Sequence, residues 1–304
     1  MLPGMVAKPR VAIIGAGNWG TALALALRAA GYEIEAVVAS SRGAFLNKSL
    51  RRARKLAARV GARALTDLST VRAEVIWFCV PDAAIAGAAG LLADRVEWKG
   101  RIALHSSGAL TSDELSALRR RGASVASLHP MMTFVHGASS LNSQPANSQP
   151  ALAGVPFALE GDPAAVRVAR RVVRDLGGTA YSILKKDKAA YHAWGTFASP
   201  LFTALLATTE RVAELAGVNR KAAKQRMLPI LQQTLANYAA VGAAGAFSGP
   251  IVRGDVDTVK GHLRALRGAR VARGVYSALA GSALQYLPAK NKKLLKQLLD
   301  SDRD

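Results

Sequence analysis

Three glycines and a few polar residues at the ends of apolar runs are the parts of this chain equipped for chemistry. In VAIIGAGNWGTALA, Gly15, Gly17 and Gly20 stand in GxGxxG spacing between a run of strand type and a run of helix type. In that setting the first glycine permits a tight turn and the second lets the backbone approach a pyrophosphate. The third lets helix and strand pack closely, with the helix N-terminus facing the anion. The chemistry implied is the holding of a dinucleotide by its phosphates, with Ala16, Asn18 and Trp19 completing the turn.

A second group lies in KKDKAAYHAWGTFASPLFTALLATTE. At about 100° per residue, Lys188, His192, Gly195, Thr196, Ser199 and Thr203 share one helical face, while Trp194, Phe197, Leu201 and Leu205 cover the rest. Hydride transfer to a carbonyl or imine needs a proton, or positive charge, where negative charge develops. A lysine and a histidine one turn apart are residue types that supply it. His192 is the first choice and Lys188 the second; a packed structural histidine and a solvated first-turn lysine are the bland readings of the same residues.

An open parallel sheet binds its ligands beyond the carboxyl ends of its strands. Three apolar runs end there in candidates: IWFCVPD through Val80 and Pro81 to Asp82, RIALHSSG in His105, Ser106 and Ser107, and ASLHP in His129. Val80, Pro81, Asp82, His105 and Ser106 are expected along the cofactor. Ser106 and Ser107 are also placed to orient a substrate carbonyl or the nicotinamide amide, and His129 to contact substrate or fix a turn. In SGPIVRGDVDTVKGHL, Arg253 is expected to reach a substrate carboxylate, with Asp255 holding it or capping the next helix.

The cofactor itself follows from the second strand. An NAD site places an acid about 20 residues beyond the glycines; here VVASSRG sets Ser40, Ser41 and Arg42 at that place. A pair of hydroxyls and a guanidinium suit a 2'-phosphate, so NADP(H) is expected. No metal is expected, because histidines and carboxylates do not recur at ligand spacing. HSSGAL lacks the glycine before the serine that a nucleophile elbow needs, which argues against a serine hydrolase.

The elements that must position these groups are legible as alternation. RVAIIGAG, YEIEAVVAS, AEVIWFCVP, RIALHSSG and ASVASLHP read as strands, with helices such as NWGTALALALRAAG and GAFLNKSLRRARKLAARVG between them. This implies an α/β class fold, a doubly wound and mainly parallel sheet with right-handed crossovers. VPFALEG and TAYSIL flank the helix DPAAVRVARRVVRDLGG and are expected to extend that sheet. Residues 137 to 154 carry the pentapeptide NSQPA twice in tandem, a local duplication of loop composition. From Lys185 only helical periodicity remains. The expected domains are 1–185, binding NADP, and 186–304, all helical, with the polar face of the first helix forming one wall of the cleft between them.

Composition limits the alternatives. Half of the 304 residues are hydrophobic and 20% are charged, an ordinary globular balance with material for a sizeable core. The formal charge of +21 favours anionic partners, so the substrate is expected to be a small anion. Nucleic acid is disfavoured, because no helix-turn-helix, zinc-finger or RRM pattern accompanies the charge. Much of it, including the run from Arg42 to Arg63, is expected on solvated surface. The single cysteine, Cys79, excludes an internal disulfide and is expected to pack as a small hydrophobe. No membrane segment or signal peptide is read, so a soluble, cytoplasmic protein is expected.

The ordered set GAGNWG, FCVPD, HSSGAL, SLHP, FALEGD, DKAAYHA, SGPIVRGD and GHL resembles an uncharacterised family of Rossmann-like oxidoreductases with an attached helical domain of unknown function. The family is similar to ketopantoate reductase, pyrroline-5-carboxylate reductase and the 6-phosphogluconate and 3-hydroxyacid dehydrogenases. The resemblance implies a helical domain like the C-terminal one of 6-phosphogluconate dehydrogenase, NADPH-dependent reduction and a homodimer joined through the helical domains. It implies as substrate a small carbonyl or imine compound, with a 2-keto acid such as ketopantoate as one candidate. The family continues from Tyr-His to Ala-Ser-Asn, whereas here Pro200 follows Ser199; an amide is lost and a helix kink is expected. The alternative from another class is a non-catalytic NADP-binding sensor or partner-docking protein.

Overall fold

A computed structural model describes residues 7–39, 46–135 and 152–301 of the chain. Contacts divide it into two compact units, Met1–Thr196 and Phe197–Asp304.

The first unit is built on eight strands: β1 Val11–Ile14, β2 Ile34–Val38, β3 Arg63–Leu65, β4 Val75–Phe78, β5 Ile102–His105, β6 Ser124–Pro130, β7 Pro156–Gly161 and β8 Thr179–Ser182. Their order is β3-β2-β1-β4-β5-β6-β7-β8. The first six run parallel, β7 is antiparallel to β6, and β8 is parallel to β7. The expected extension by VPFALEG and TAYSIL is therefore present. Strand β3 was not anticipated: three residues after a helix carry too little apolar signal.

Because successive side chains of a strand point to opposite faces, the apolar runs feed two separate cores. Val11, Ile13, Val75, Trp77 and Leu104 face α1 Asn18–Ala29, α2 Leu46–Val60 and α5 Pro163–Asp175. Ala12, Ile14, Ile76, Phe78 and Ala103 face α3 Asp82–Ala93 and α4 Ser116–Arg119. Strands covered on both sides read as continuous hydrophobic runs, which is why β1 and β4 are buried at every residue. Helix α2 turns Ala53, Leu56, Ala57 and Val60 inward and leaves Arg51, Arg52, Arg54, Lys55 and Arg59 exposed, the solvated basic face expected of this run.

Helix α6, Lys188–Thr196, belongs to this first unit. The sequence reading opened the second domain at residue 186; contacts instead hold the helix bearing Lys188 and His192 with the sheet.

The second unit is helical throughout its described residues. It contains α7 Phe202–Leu215, α8 Arg220–Ala246, α9 Pro250–Arg253, α10 Val256–Ala265, α11 Arg270–Tyr286 and α12 Lys292–Ser301. Its buried cluster is small, with Val259, Leu263, Ala280, Leu295 and Leu299 at the centre. Pro200 lies in a π-helical turn, Phe197–Leu201, so the expected distortion is present. In α8, Gly242 at φ 71°, ψ 177° breaks the helix. By length and composition alone, Arg220–Arg253 would suffice to cross a membrane. In the isolated chain Leu228, Ile230, Leu235, Tyr238 and Val241 on α8 are all exposed.

Candidate active site

The glycine turn follows β1. Gly15 adopts φ 103°, open to glycine at little cost, and a Cβ there would lie 2.4 Å from the Cys79 carbonyl oxygen. A Cβ on Gly20 would lie 2.1 Å from the Gly15 carbonyl oxygen, so these two glycines serve packing. Gly17 differs: a Cβ there would meet nothing within 4 Å. It is also the N-cap of α1, with no side-chain cap and no acid in the first turn, leaving the amides of that turn available to an anion. Asn18 Nδ2 donates to the Phe134 carbonyl at 2.8 Å, and the Trp19 ring packs on Phe134 and Trp77. Both side chains thus brace α1 from within. Beside the turn, an apolar cavity of about 520 Å³ is lined by Ile14, Val38, Ala39, Val80 and Leu91, among others. Ser40, Ser41 and Arg42, expected to distinguish NADP from NAD, lie outside the described residues, as does the tandem NSQPA repeat.

The carboxyl ends of β4, β5 and β6 stand side by side, and a count of their hydrogen bonds separates free groups from occupied ones. Fully buried His105 approaches the Thr111 carbonyl through Nε2 at 2.9 Å and accepts the Ser107 amide on Nδ1 at 3.1 Å. A carbonyl can only accept, so the proton sits on Nε2 and both ring nitrogens are used. Burial pushes this imidazole down to about 4, against the opposing Thr111 bond. Ser107 Oγ donates to Asp82 Oδ2 at 2.8 Å and accepts from the Leu110 amide at 2.9 Å. Ser106 Oγ accepts from the Trp77 indole at 2.8 Å. An indole can only donate, so the hydroxyl proton of Ser106 is left over for a ligand.

Lys188, 2% exposed, points inward. Its ammonium donates to the Ser107 carbonyl at 3.0 Å and to the Ser127 hydroxyl, and it lies 3.9 Å from Glu160. Glu160, also buried, accepts the Ser112 amide at 2.6 Å and the Ser112 hydroxyl at 2.8 Å. The loop from Ser107 to Ser112 is therefore gripped at one end by the lysine and at the other by the carboxylate. Burial lowers Lys188 to about 8, with Glu160 and Asp82 working in the opposite direction.

His129 and His192 meet above Gly108. A Cβ on Gly108 would lie 2.5 Å from His192 Cδ2 and 2.9 Å from His129 Nε2, so only glycine allows both rings to approach. The rings are perpendicular, with centroids 5.9 Å apart. His129 Nδ1 meets the Tyr191 hydroxyl at 2.8 Å, and burial, then the nearby His192 and Lys188, lower this imidazole to about 4. Farther along α6, Gly195 faces the Met131 sulfur. Gly195 on the polar face of α6 thus admits Met131, the residue after β6.

Of the residues singled out in the sequence, Ser106, Ser107, Asp82, His105, His129, Lys188 and His192 come together. Arg253 is in the second unit, where Nε and Nη2 both bond Asp255 Oδ2, at 2.9 and 2.8 Å. Four participants were missed: Gly108, Ser127, Glu160 and Tyr191. Ser127 and Glu160 had a readable signal, as polar residues inside otherwise apolar strands, which are satisfied by partners when buried. Among the described residues no cluster of histidine, cysteine and acidic side chains suits a metal.

Comparison with known proteins places this architecture. Residues 5–130 match the family described as Rossmann-like domain, and residues 155–283 match the domain of unknown function DUF2520. The chain joins a Rossmann-like domain to a DUF2520 domain. The DUF2520 match starts ahead of β7, so it includes Glu160, Lys188, Tyr191 and His192, whereas Ser106, Gly108, Ser127 and His129 belong to the Rossmann-like match. The polar cluster is built from both.

Among solved structures, the fold is similar to that of a Bacteroides fragilis protein provisionally named an NADP oxidoreductase. That pair is 22% identical, with TM-score 0.69 over 90% of this chain and 97% of the other. It is also similar to an Aspergillus terreus reductive aminase in complex with NADPH and ethyl-5-oxohexanoate, 16% identical, TM-score 0.62 over 96% and 99% of the two chains. A pyrroline-5-carboxylate reductase from Coxiella burnetii is 13% identical, TM-score 0.55, with 98% of each chain covered. At these identities the likeness establishes the fold. No curated protein sequence matches the chain.

Proposed function

We propose that the protein is an NADPH-dependent reductase of a small carbonyl or imine compound, with 2-keto acids of the ketopantoate kind among the candidate substrates. The observation that carries this reading is the division of polar groups at the sheet edge. His105, Ser107 and Lys188 are consumed internally, while Ser106, His129 and His192 keep groups free around Gly108, on the same edge as the uncapped glycine turn.

The described residues fit a nicotinamide dinucleotide. Gly17 leaves space where a side chain would stand, the first-turn amides of α1 are open to the pyrophosphate, and the apolar cavity beside the turn suits an adenine ring. When bound, the nicotinamide supplies the hydride. The Ser106 hydroxyl would donate a hydrogen bond to the nicotinamide amide or to the substrate. His129 and His192 face the substrate atom on which negative charge develops, while Lys188 and Glu160 hold the loop that presents Ser106 and Gly108. The exposed apolar side chains of α8 are read as the surface on which a second copy packs, giving a homodimer; light scattering that finds a monomer at micromolar concentration overturns that part.

The test is NADPH oxidation against a panel of 2-keto acids and cyclic imines, with NADPH and NADH binding measured by fluorescence titration. Turnover of one class with preference for NADPH is expected. Tight cofactor binding without any turnover would move the protein to the alternative class of cofactor sensors, and tighter binding of NADH would refute the role given to Ser40, Ser41 and Arg42.

A further inference from the structure

The two ring nitrogens of His129 face different surroundings. Nδ1 meets the Tyr191 hydroxyl at 2.8 Å, and Nε2 lies over the Cα of Gly108, where a side-chain carbon would stand 2.9 Å away. We propose that Tyr191 is a positioning residue: its hydroxyl donates to His129 Nδ1 and fixes the tautomer whose proton is on Nε2. That proton then sits on the nitrogen turned toward Gly108 and the His192 ring, as a neutral hydrogen-bond donor for the substrate oxygen or nitrogen. The role toward substrate rests on the reductase reading; the tautomer does not.

The direction of the bond follows from the partners. A phenol is a better donor and a poorer acceptor than an imidazole nitrogen, as their ordinary pKa values of about 10 and about 6.5 reflect. Tyr191 is 6% exposed, and burial, then the neighbouring Tyr181 hydroxyl, push it further above the ordinary range, so it keeps its proton; the buried Tyr181 hydroxyl itself makes no hydrogen bond among the described residues, which leaves His129 Nδ1 as the acceptor. The ring is held edge-to-face by His129 at 5.5 Å, by Tyr181 at 6.4 Å and by Trp194 at 6.1 Å, so the hydroxyl is held on Nδ1. His129 cannot escape the choice by taking a second proton: it is half-buried, with the Lys188 ammonium and the His192 ring among its neighbours. A neutral ring that accepts on Nδ1 must carry its hydrogen on Nε2. Setting a histidine tautomer through a partner on the far nitrogen is a general means of orienting such donors. Here it explains why a tyrosine on the apolar side of α6 spends its hydroxyl on a strand-end histidine.

The experiment is long-range proton–nitrogen NMR on the full chain labelled with ¹⁵N-histidine, with the His129 signals assigned by their loss in His129→Gln. A bare, pyridine-type Nδ1 and a protonated Nε2 are expected at neutral pH. Tyr191→Phe keeps the ring; it is expected to give a mixture of tautomers and a kcat lowered about twofold or more, in step with the lost Nε2-protonated fraction, with KM for NADPH unchanged. A proton on Nδ1 in the wild type, or an unchanged tautomer in Tyr191→Phe, overturns the proposal. An unchanged kcat in Tyr191→Phe overturns the part toward substrate. If the wild type turns over no carbonyl or imine, the reductase reading fails while the NMR arm still decides the tautomer.

Discussion

Replacing Lys188 by methionine tests whether this lysine braces the loop or serves the reaction. At pH 7 the variant leaves the buried Glu160 carboxylate without its cation, and the Ser127 hydroxyl and Ser107 carbonyl without their donor. Breaking a buried pair from one side costs about 3–5 kcal/mol. Raising the pH then separates wild type and variant further. The Lys188 ammonium sits near 8 in the folded protein against 10.5 when unperturbed. Below pH 8 folded and unfolded chains both hold this proton. Between pH 8 and 10.5 the folded protein has released it while the unfolded chain retains it, so wild-type stability rises with pH. That gap is worth about 3 kcal/mol in full, with about 1 kcal/mol of it reached by pH 9 and most of it by pH 10. Groups with raised pKa act in the opposite sense, Cys79 from about pH 9 and Tyr32, Tyr191 and Tyr276 from about pH 10, but they are common to both proteins and cancel in the difference. The assay is urea denaturation followed by tryptophan fluorescence at pH 7, 9 and 10. All four tryptophans, Trp19, Trp77, Trp98 and Trp194, lie in Met1–Thr196, so the signal reports on the unit that holds Lys188. Adding Glu160→Gln to Lys188→Met should recover part of the loss, because the amide keeps an acceptor for Ser112 without a stranded charge. A constant separation of wild type and variant from pH 7 to 10 would refute the reasoning.

The other expectations concern groups within reach of the ligand. Gly17→Ala, at φ −77° with open space around it, should leave stability within about 0.5 kcal/mol and weaken NADPH at least tenfold, whereas Gly20→Ala, 2.1 Å from a carbonyl oxygen, should destabilise by about 3 kcal/mol or more; equal behaviour in melting and titration would contradict the roles given to them. Ser106→Ala should lower kcat and also cost about 1–3 kcal/mol by stranding the Trp77 indole, while Ser107→Ala should cost stability with a smaller effect on turnover of the folded fraction, as steady-state kinetics beside thermal melts will show. Gly108→Ala should reduce kcat at least tenfold while costing under about 2 kcal/mol, because the two imidazole edges can turn away from the new methyl group; an unchanged kcat would mean that these rings do not act from where they stand.

Local rules were enough for the Rossmann half. The apolar runs of β1, β4 and β5 and the glycine spacing announce themselves because a parallel strand covered on both faces has no alternative to continuous hydrophobicity, and a pyrophosphate turn has none to glycine. The antiparallel return of β7 and the short β3 were not legible, since pairing direction and three-residue edge strands depend on what lies alongside. The polar face of α6 was visible as a periodicity, and so was its use of small residues.

What no stretch of residues could disclose was which of its polar groups are already spent. Lys188 and His192, one turn apart, were both candidate donors, the histidine ranked first; the fold buries the lysine against Ser107, Ser127 and Glu160 and leaves the histidine beside Gly108. Ser106 and Ser107, adjacent in the chain, part company for the same reason, one held by an indole that can only donate and the other bonded on both sides. Residue type and spacing determined that an anion-binding turn and a set of proton donors would meet at one sheet edge. Only the tertiary structure decided which donors keep a proton to give, because hydrogen-bond capacity is consumed by neighbours that are distant in sequence.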